Sequence, residues 1–101
     1  MLRWSSLLCL LFMTIAISGC GYGEVSPTTY ELAKSLYNIT NRRLDGHLDK
    51  VHSQIVASEK LGDISQREAK WLLDIYDDAK NGKWQVAMLS SRRLLEDQVQ
   101  K

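Results

Sequence analysis

Apolar residues are distributed in two distinct ways along this chain. An almost continuous apolar run occupies residues 7–17, whereas beyond residue 27 apolar and polar residues alternate with helical periodicity. The run is about 11 residues long, which suits a signal-peptide core and is too short for a membrane span of about 20 residues. The pattern therefore predicts a targeting segment that is followed by an all-α domain.

The first helical stretch begins at the only proline of the chain. Ser26 is suited to be an N-cap and Pro27 to occupy the first helical position, where its missing N–H costs nothing. From there, apolar residues recur at helical spacing: Tyr30, Ala33, Tyr37, Leu44, Leu48, Val51 and Ile55. This spacing predicts a long first helix over residues 27–60, in which Asn41 and Gly46 are the points where a break is easiest.

Two further helices are predicted after a connection at residues 61–64. Gly62 suits a helix C-cap, and Ser65 with Glu68 forms a capping box in which each side chain satisfies a free backbone N–H of the other residue. The second helix has its apolar positions at Ala69, Leu72, Leu73, Tyr76 and Ala79, flanked by Trp71 and Ile75. The third helix is predicted to begin at Lys83. The residues on its inward face are Trp84, Ala87, Met88, Ser91, Leu95 and Val99. The predicted fold class is all-α, either a small helical hairpin or a three-helix bundle with a long first helix, after a cleaved signal peptide.

The turn between the last two predicted helices has a second interpretation. Residues 82–87, Gly-Lys-Trp-Gln-Val-Ala, are similar to the turn of a tetratricopeptide repeat, where Gly, an aromatic residue and Ala recur at this spacing. The similarity covers six residues of one repeat, and the sequence has no second repeat. We prefer the simpler interpretation, in which Gly82 ends one helix while Trp84 and Ala87 pack the next. Both interpretations predict a helical hairpin.

The residues around the apolar run complete a secretory signal. The run is preceded by a short segment with one positive charge, Arg3, and is followed by small residues. The sequence Ile17-Ser18-Gly19-Cys20 resembles the lipobox of bacterial lipoproteins, and the resemblance covers residues 1–20. It implies that the thiol of Cys20 is acylated and that a signal peptidase cuts between Gly19 and Cys20. An ordinary secreted protein with an incidental Cys20, or an uncleaved N-terminal anchor, is the alternative.

This resemblance implies three parts: a lipoprotein signal peptide at 1–19, the lipidated Cys and a short linker at 20–27, and a helical domain at 28–101. One acyl chain holds a protein only marginally, but a lipoprotein Cys carries two or three. The linker reaches at most about 25 Å, so the domain stays near its bilayer, and Tyr22 is expected near the lipid interface. The expected location is the cell envelope. In a Gram-negative host, Gly21 in place of Asp favours the outer membrane, facing the periplasm.

Charge and cysteine content narrow the possible chemistry. The chain has 13 Lys and Arg against 12 Asp and Glu, and Arg3 leaves with the signal peptide, so the mature part is near neutral. Its charges are interspersed, and no nucleic-acid partner is expected. Cys9 also leaves with the signal peptide, so no disulfide is available to the domain.

No motif for catalysis is present, so we assign no catalytic residue, no metal ligand and no cofactor, and we do not expect an enzyme. One helix face could carry Asp45, Asp49 and His52, a conceivable metal half-site, but a solvated face is the favoured explanation of the spacing. The aromatic residues have core packing as their default role and an exposed binding groove as the alternative: Trp71, Trp84, Tyr30, Tyr37 and Tyr76. The leading hypothesis is a lipid-anchored, non-enzymatic interaction or scaffold protein that binds a protein partner or itself. The alternative is a small ligand- or metal-binding lipoprotein.

Overall fold

Residues 22–99 are described by a computed structural model, and within them four α-helices form a bundle without any β-strand. The helices are α1 (Pro27–Arg42), α2 (Leu48–Leu61), α3 (Gln66–Lys80) and α4 (Trp84–Val99), and a short 3₁₀ helix (Asp45–His47) precedes α2. The all-α class and the helical bundle are confirmed. The expected α-helical hairpin is formed by α3 and α4, which meet at the turn 81–83.

Four of the helix ends follow local sequence signals. The Ser26 hydroxyl accepts the backbone N–H of Thr29 at 3.2 Å and caps α1, with Pro27 at the first position. Ser65 and Glu68 form the predicted capping box of α3. At the C-termini of α2 and α3, Gly62 and Gly82 both have φ +81°, the left-handed conformation in which glycine lacks the steric cost of a Cβ.

The long first helix predicted over 27–60 is wrong, because two helices stand in its place. Helix α1 ends at Arg42, and Arg43 takes the left-handed conformation (φ 53°, ψ 49°), so that the N–H of Leu44 donates to the carbonyl of Ile39 at 2.9 Å. On one continuous helix, the buried positions of α1 and those of α2 would face directions roughly 100° apart. Reversing the chain at residues 43–47 lets both apolar faces enter the same core.

The four helices run alternately up and down. Helices α1 and α3 pack against each other and against both α2 and α4. The antiparallel arrangement of α2 and α3 is visible in their cross-contacts, where Asp49 pairs with Lys80 at 3.7 Å and His52 lies against the ring of Tyr76, with 4.6 Å between ring centroids. The bundle therefore has two ends. The Tyr22 end contains residues 22–26, the connection 62–65 and the C-terminus of α4, and the Arg43 end contains the connections 43–47 and 81–83.

The buried core is contributed by all four helices and the α2–α3 connection. Its apolar members are Leu32, Ala33, Leu36, Ile39, Leu48, Val51, Ile55, Ile64, Ala69, Leu72, Ile75, Ala79, Ala87 and Leu94. On α4 the predicted inward positions Ala87 and Ser91 are confirmed, but Val99 is exposed, and Leu94 is buried more deeply than Leu95. The buried residues Ala87, Ser91 and Leu94 are separated by four and then three positions, which matches 3.6 residues per turn. The predicted positions Ser91, Leu95 and Val99 are each four apart and so move off the buried face.

The segment expected to be a linker is part of the folded domain as far as the structure describes it. Residues 22–26 are extended, and their backbone is hydrogen-bonded to side chains of α3 and α4. Tyr22 and Val25 pack against the hydrophobic core. In the described part of the predicted linker, residues 22–26 are therefore bound to the bundle, ahead of the predicted domain start at residue 28.

Candidate functional site

The segment that connects the bundle to the N-terminal region of the chain is held by side chains of α4. We call residues 22–26 the N-terminal strap. The N–H of Tyr22 donates to the Asp97 carboxylate at 2.8 Å, and the N–H of Val25 donates to Oε1 of Gln98 at 3.1 Å. The same Gln98 returns a hydrogen bond from Nε2 to the carbonyl of Gly23 at 2.9 Å. One amide side chain thus pairs with both a donor and an acceptor of the strap.

An aromatic contact fixes the outer part of the strap. The ring of Tyr22 meets the indole of Trp71 edge to face, with 5.1 Å between centroids and 81° between planes. Burial raises the pKa of the Tyr22 hydroxyl above its usual 10.0, while the nearby Arg93 acts in the opposite direction. Tyr22 is therefore a neutral, half-buried aromatic side chain at neutral pH, seated between α3 and α4.

The inner part of the strap ends on a buried carboxylate. Glu68, only 8% exposed, accepts the backbone N–H of Ser26 at 2.5 Å through Oε2 and the backbone N–H of Ser65 at 2.8 Å through Oε1. Ser26 and Ser65 are the N-caps of α1 and α3. A single side chain therefore satisfies free donors at the starts of two helices and joins the strap to the connection 62–65.

The environment of Glu68 favours its charged form. Burial by itself raises the pKa of this carboxyl, but hydrogen bonds from Ser65 and Ser26 stabilise the carboxylate, and the net effect is a pKa below its usual 4.5. Charge-assisted hydrogen bonds of this kind are stronger than neutral ones. The strap is therefore held most firmly at pH values where Glu68 is ionised.

The residues of the expected cleavage and lipidation site lie next to the strap in the sequence. Gly19 and Cys20 fall outside the described residues, and so does Gly21, so the expected cleavage and acylation stay predictions. Gly21 is the only residue between Cys20 and the strap. The first described residue, Tyr22, is already fixed to α3 and α4.

The structure does not assemble the conceivable metal half-site. Asp45 belongs to the 3₁₀ helix, whereas Asp49 pairs with Lys80 and His52 packs on Tyr76. Among residues 22–99, no group of three or more His, Cys, Asp or Glu side chains is placed to hold a metal ion. The half-site required Asp45, Asp49 and His52 to lie on one continuous helix. The chain is not α-helical over residues 43–47, so Asp45 does not share a helix with the other two.

The aromatic residues occupy the margin of the core. Trp71, Tyr76 and Trp84 are half-buried and pack against the apolar cluster, as core packing requires. Tyr30 and Tyr37 are half-buried on α1, where the ammonium of Lys34 lies 5.7 Å from the centroid of the Tyr30 ring. Trp71, Tyr76 and Trp84 therefore have the default role of core packing, and Trp71 also contacts Tyr22.

Sequence reasoning missed the strap itself. The capping box identified Glu68 from a spacing of three residues, but the bond to Ser26 spans 42 positions and the bonds from Tyr22 and Val25 to α4 span 75 and 73. Nothing in the sequence around Asp97 and Gln98 marks them as partners of the strap, because polar residues are common at an exposed helix end. Only their position opposite the strap distinguishes them.

Comparison of the chain with known protein families, with curated proteins and with solved structures found no match. In residues 22–99, no helix has the length and apolarity needed to span a bilayer. The features of the chain that bear on its function are therefore the lipobox-like segment and the strap that follows it.

Proposed function

We propose that this chain is the precursor of a bacterial lipoprotein, whose mature helical bundle is attached to the cell envelope by acyl chains on Cys20. The observation that carries the proposal is the order of signals over residues 3–20: one positive charge, an apolar run, two small residues and then Cys. The strap supports it, because the described residues that follow the proposed lipid attachment point, from Tyr22 onward, are bonded to the bundle.

Acyl chains on Cys20 would provide enough binding free energy to keep the protein stably attached to a membrane. Each buried CH₂ of an acyl chain contributes about 0.8 kcal/mol, and two or three chains hold a protein stably where one chain does not. In a Gram-negative host, the absence of Asp after the acylated Cys, where Gly21 stands, favours the outer membrane, facing the periplasm. Cleavage before Cys20 removes Cys9, so Cys20 is the only Cys of the mature chain.

The role that we propose for the mature domain is non-enzymatic: an accessory or scaffold protein that binds a protein partner or a second copy of itself. Support comes from the shape of the attachment. Hydrogen bonds to Asp97, Gln98 and Glu68 hold the strap against the bundle. The strap therefore limits the orientations that the bundle can take relative to the membrane, which a flexible linker would not do. A fixed orientation suits a protein that positions a partner relative to the membrane.

Acylation is tested by producing the full chain in a bacterial host that is fed an alkyne-bearing fatty acid. Residues 20–101 are expected to carry the label and to have the mass of the cleaved, acylated chain. Cys20→Ser should abolish the label and leave the precursor uncut. Cys9→Ser is the matched control, because it removes the other thiol and should leave both the label and the cleavage unchanged. Labelling of the Cys20→Ser variant would contradict the proposal.

The interaction role is tested by crosslinking the tagged protein in its native membrane, followed by mass spectrometry. A reproducible partner at defined stoichiometry would identify the protein as an adaptor, and recovery of its own copies alone would identify a self-associating lipoprotein. Recovery of neither, from a membrane in which the protein is acylated and abundant, would contradict the scaffold role.

A further inference from the structure

The distance between the proposed lipid and the folded domain is very short. Cys20 and Tyr22 are two peptide units apart, so their Cα atoms lie at most about 7 Å from each other. Tyr22 is bound to Asp97 through its N–H and to Trp71 through its ring. Acyl chains on Cys20 would therefore place the bilayer next to the Tyr22 end of the bundle.

The same end carries the most exposed large apolar side chains of the described residues. Leu61, the last residue of α2, is 76% exposed, and Val99, the last residue of α4, is 73% exposed. The other two exposed large apolar residues, Val86 and Leu89, lie in the first half of α4, towards the opposite end. Apolar side chains that face water here would be covered if a bilayer lay against this end.

Aromatic residues accompany these apolar side chains. Tyr22 and Trp71 are both half-buried, and they contact each other at the point where the strap begins. Tyr and Trp are enriched at membrane–water interfaces, because each ring combines an apolar body with a polar tip. Trp84, in contrast, opens α4 at the Arg43 end.

Exposed charges of both signs surround this end: Glu24, Lys60, Asp63, Arg67 and Glu96. A surface of mixed sign suits zwitterionic headgroups, which offer both phosphate and ammonium groups. It is not the basic surface that anionic lipids attract.

We propose that the Tyr22 end is a membrane-contacting surface, with a zwitterionic phospholipid layer as its partner and with Leu61 and Val99 inserted among the headgroups. This inference rests on the proposed acylation of Cys20, and it adds the orientation of the bundle. The Arg43 end then points away from the membrane, where a protein partner can reach it.

The two tryptophans of the mature chain test this orientation. Trp84→Phe leaves Trp71 as the only indole of residues 20–101, and Trp71→Phe leaves Trp84. Along α4, Trp84 is about 20 Å from Asp97, which binds the strap. Both variants, in the acylated mature protein, are incorporated into phosphatidylcholine vesicles that contain a lipid with a quencher on its headgroup. We expect at least twofold stronger quenching of Trp71 than of Trp84.

Equal quenching of the two indoles, or stronger quenching of Trp84, would overturn the orientation while leaving acylation intact. The intact mass, measured first, separates the two proposals: an unacylated mature chain refutes both. Circular dichroism confirms that each variant is folded.

A second measurement uses only the Trp84→Phe background and keeps the Tyr22–Trp71 contact. The double substitution Leu61→Ser with Val99→Ser is expected to lower the quenching of Trp71, because the end no longer inserts apolar side chains. The double substitution Val86→Ser with Leu89→Ser is the matched control and should leave the quenching unchanged. A larger loss in the control than in the Leu61 and Val99 variant would refute the membrane contact.

Discussion

The carboxylate of Glu68 accepts the backbone N–H of Ser26, 42 positions earlier in the chain, at 2.5 Å. The other oxygen of the same carboxylate accepts the N–H of Ser65. The two serines are the N-caps of α1 and α3, so this side chain joins the starts of two helices and ends the strap. One buried charge therefore holds the inner end of the strap, at Ser26, to the bundle.

Replacing Glu68 by Gln is expected to lower the free energy of unfolding by about 1–3 kcal/mol. A neutral amide offers one oxygen where the carboxylate offers two, so one of the two part-buried N–H groups loses its acceptor. Urea denaturation of the folded domain measures this change. Glu31→Gln is the control: Glu31 forms an exposed pair with Lys34, and its loss should change stability by less than about 0.5 kcal/mol. Equal effects of the two substitutions would contradict the assignment.

The contribution of Glu68 should also depend on pH. Because its pKa in the folded domain lies below the usual 4.5, the unfolded chain binds the proton first as pH falls. The stabilisation is therefore complete above about pH 4.5 and is lost as pH decreases through the folded pKa. We expect the stability difference between the native chain and Glu68→Gln to shrink between pH 5.5 and pH 3. A difference that grows on acidification would contradict the depressed pKa.

The left-handed conformation of Arg43 predicts a stabilising substitution. Arg43 is the only residue other than glycine with positive φ among residues 22–99. A Cβ in this conformation costs roughly 1 kcal/mol, partly offset by the greater freedom of glycine in the unfolded chain. Arg43→Gly should therefore raise stability by about 0.5 kcal/mol in thermal unfolding. Arg42→Gly, one residue earlier inside α1, should instead lower it by about 1 kcal/mol.

Acidic substitutions on α2 test the core. Leu48 is 0% exposed and Val51 is 2% exposed, so Leu48→Asp or Val51→Asp would bury an unpaired carboxylate. The penalty of several kcal/mol is comparable with the whole stability of a small domain, and we expect loss of helicity by circular dichroism. Lys50→Asp, on the exposed side of the same helix, should leave the helical signal intact. A fully helical Leu48→Asp variant would refute the packing.

Gln98 provides a direct test of the strap. Gln98→Ala removes the acceptor of the Val25 N–H and the donor to the Gly23 carbonyl. Hydrogen exchange of the Val25 amide should become faster by at least tenfold, while amides in the core of α3 are unaffected. Gln85→Ala, an exposed residue of α4 at the opposite end, is the control. Slow exchange at Val25 in the Gln98 variant would show that other contacts hold the strap.

Local signals predicted four of the helix ends. Ser26 with Pro27, the box of Ser65 and Glu68, and Gly62 lie where the structure places caps, and Gly82 directly follows Asn81, the C-cap of α3. Each signal acts within about four residues, so it needs no knowledge of the rest of the fold. The apolar face of α3 was predicted in part: Ala69, Leu72 and Ala79 are buried as expected, but Ile75, expected at the flank, is buried more deeply than Leu73 and Tyr76.

The break between α1 and α2 was not predicted at its true position. Helix-compatible residues run through Arg42, Arg43 and Leu44, and the two weak points, Asn41 and Gly46, lie on either side. What ends α1 is the gain from folding α2 back onto α3, which holds Arg43 in a conformation that its own sequence does not favour. The buried face of α4 was mispredicted for a related reason. Leu94 and Leu95 are the same residue type, and only packing against the neighbouring helices determines that Leu94 is the more deeply buried of the two.

By itself, the sequence determined the all-α class, the caps of three helices and the expectation of a lipid on Cys20, because each depends on residues a few positions apart. Only the tertiary structure decided that four helices pack rather than three, and that residues 22–26 are bound rather than free. It also decided which side chains hold them. These contacts join residues 42 to 75 positions apart, and no local pattern records which distant residues will meet once the core has formed.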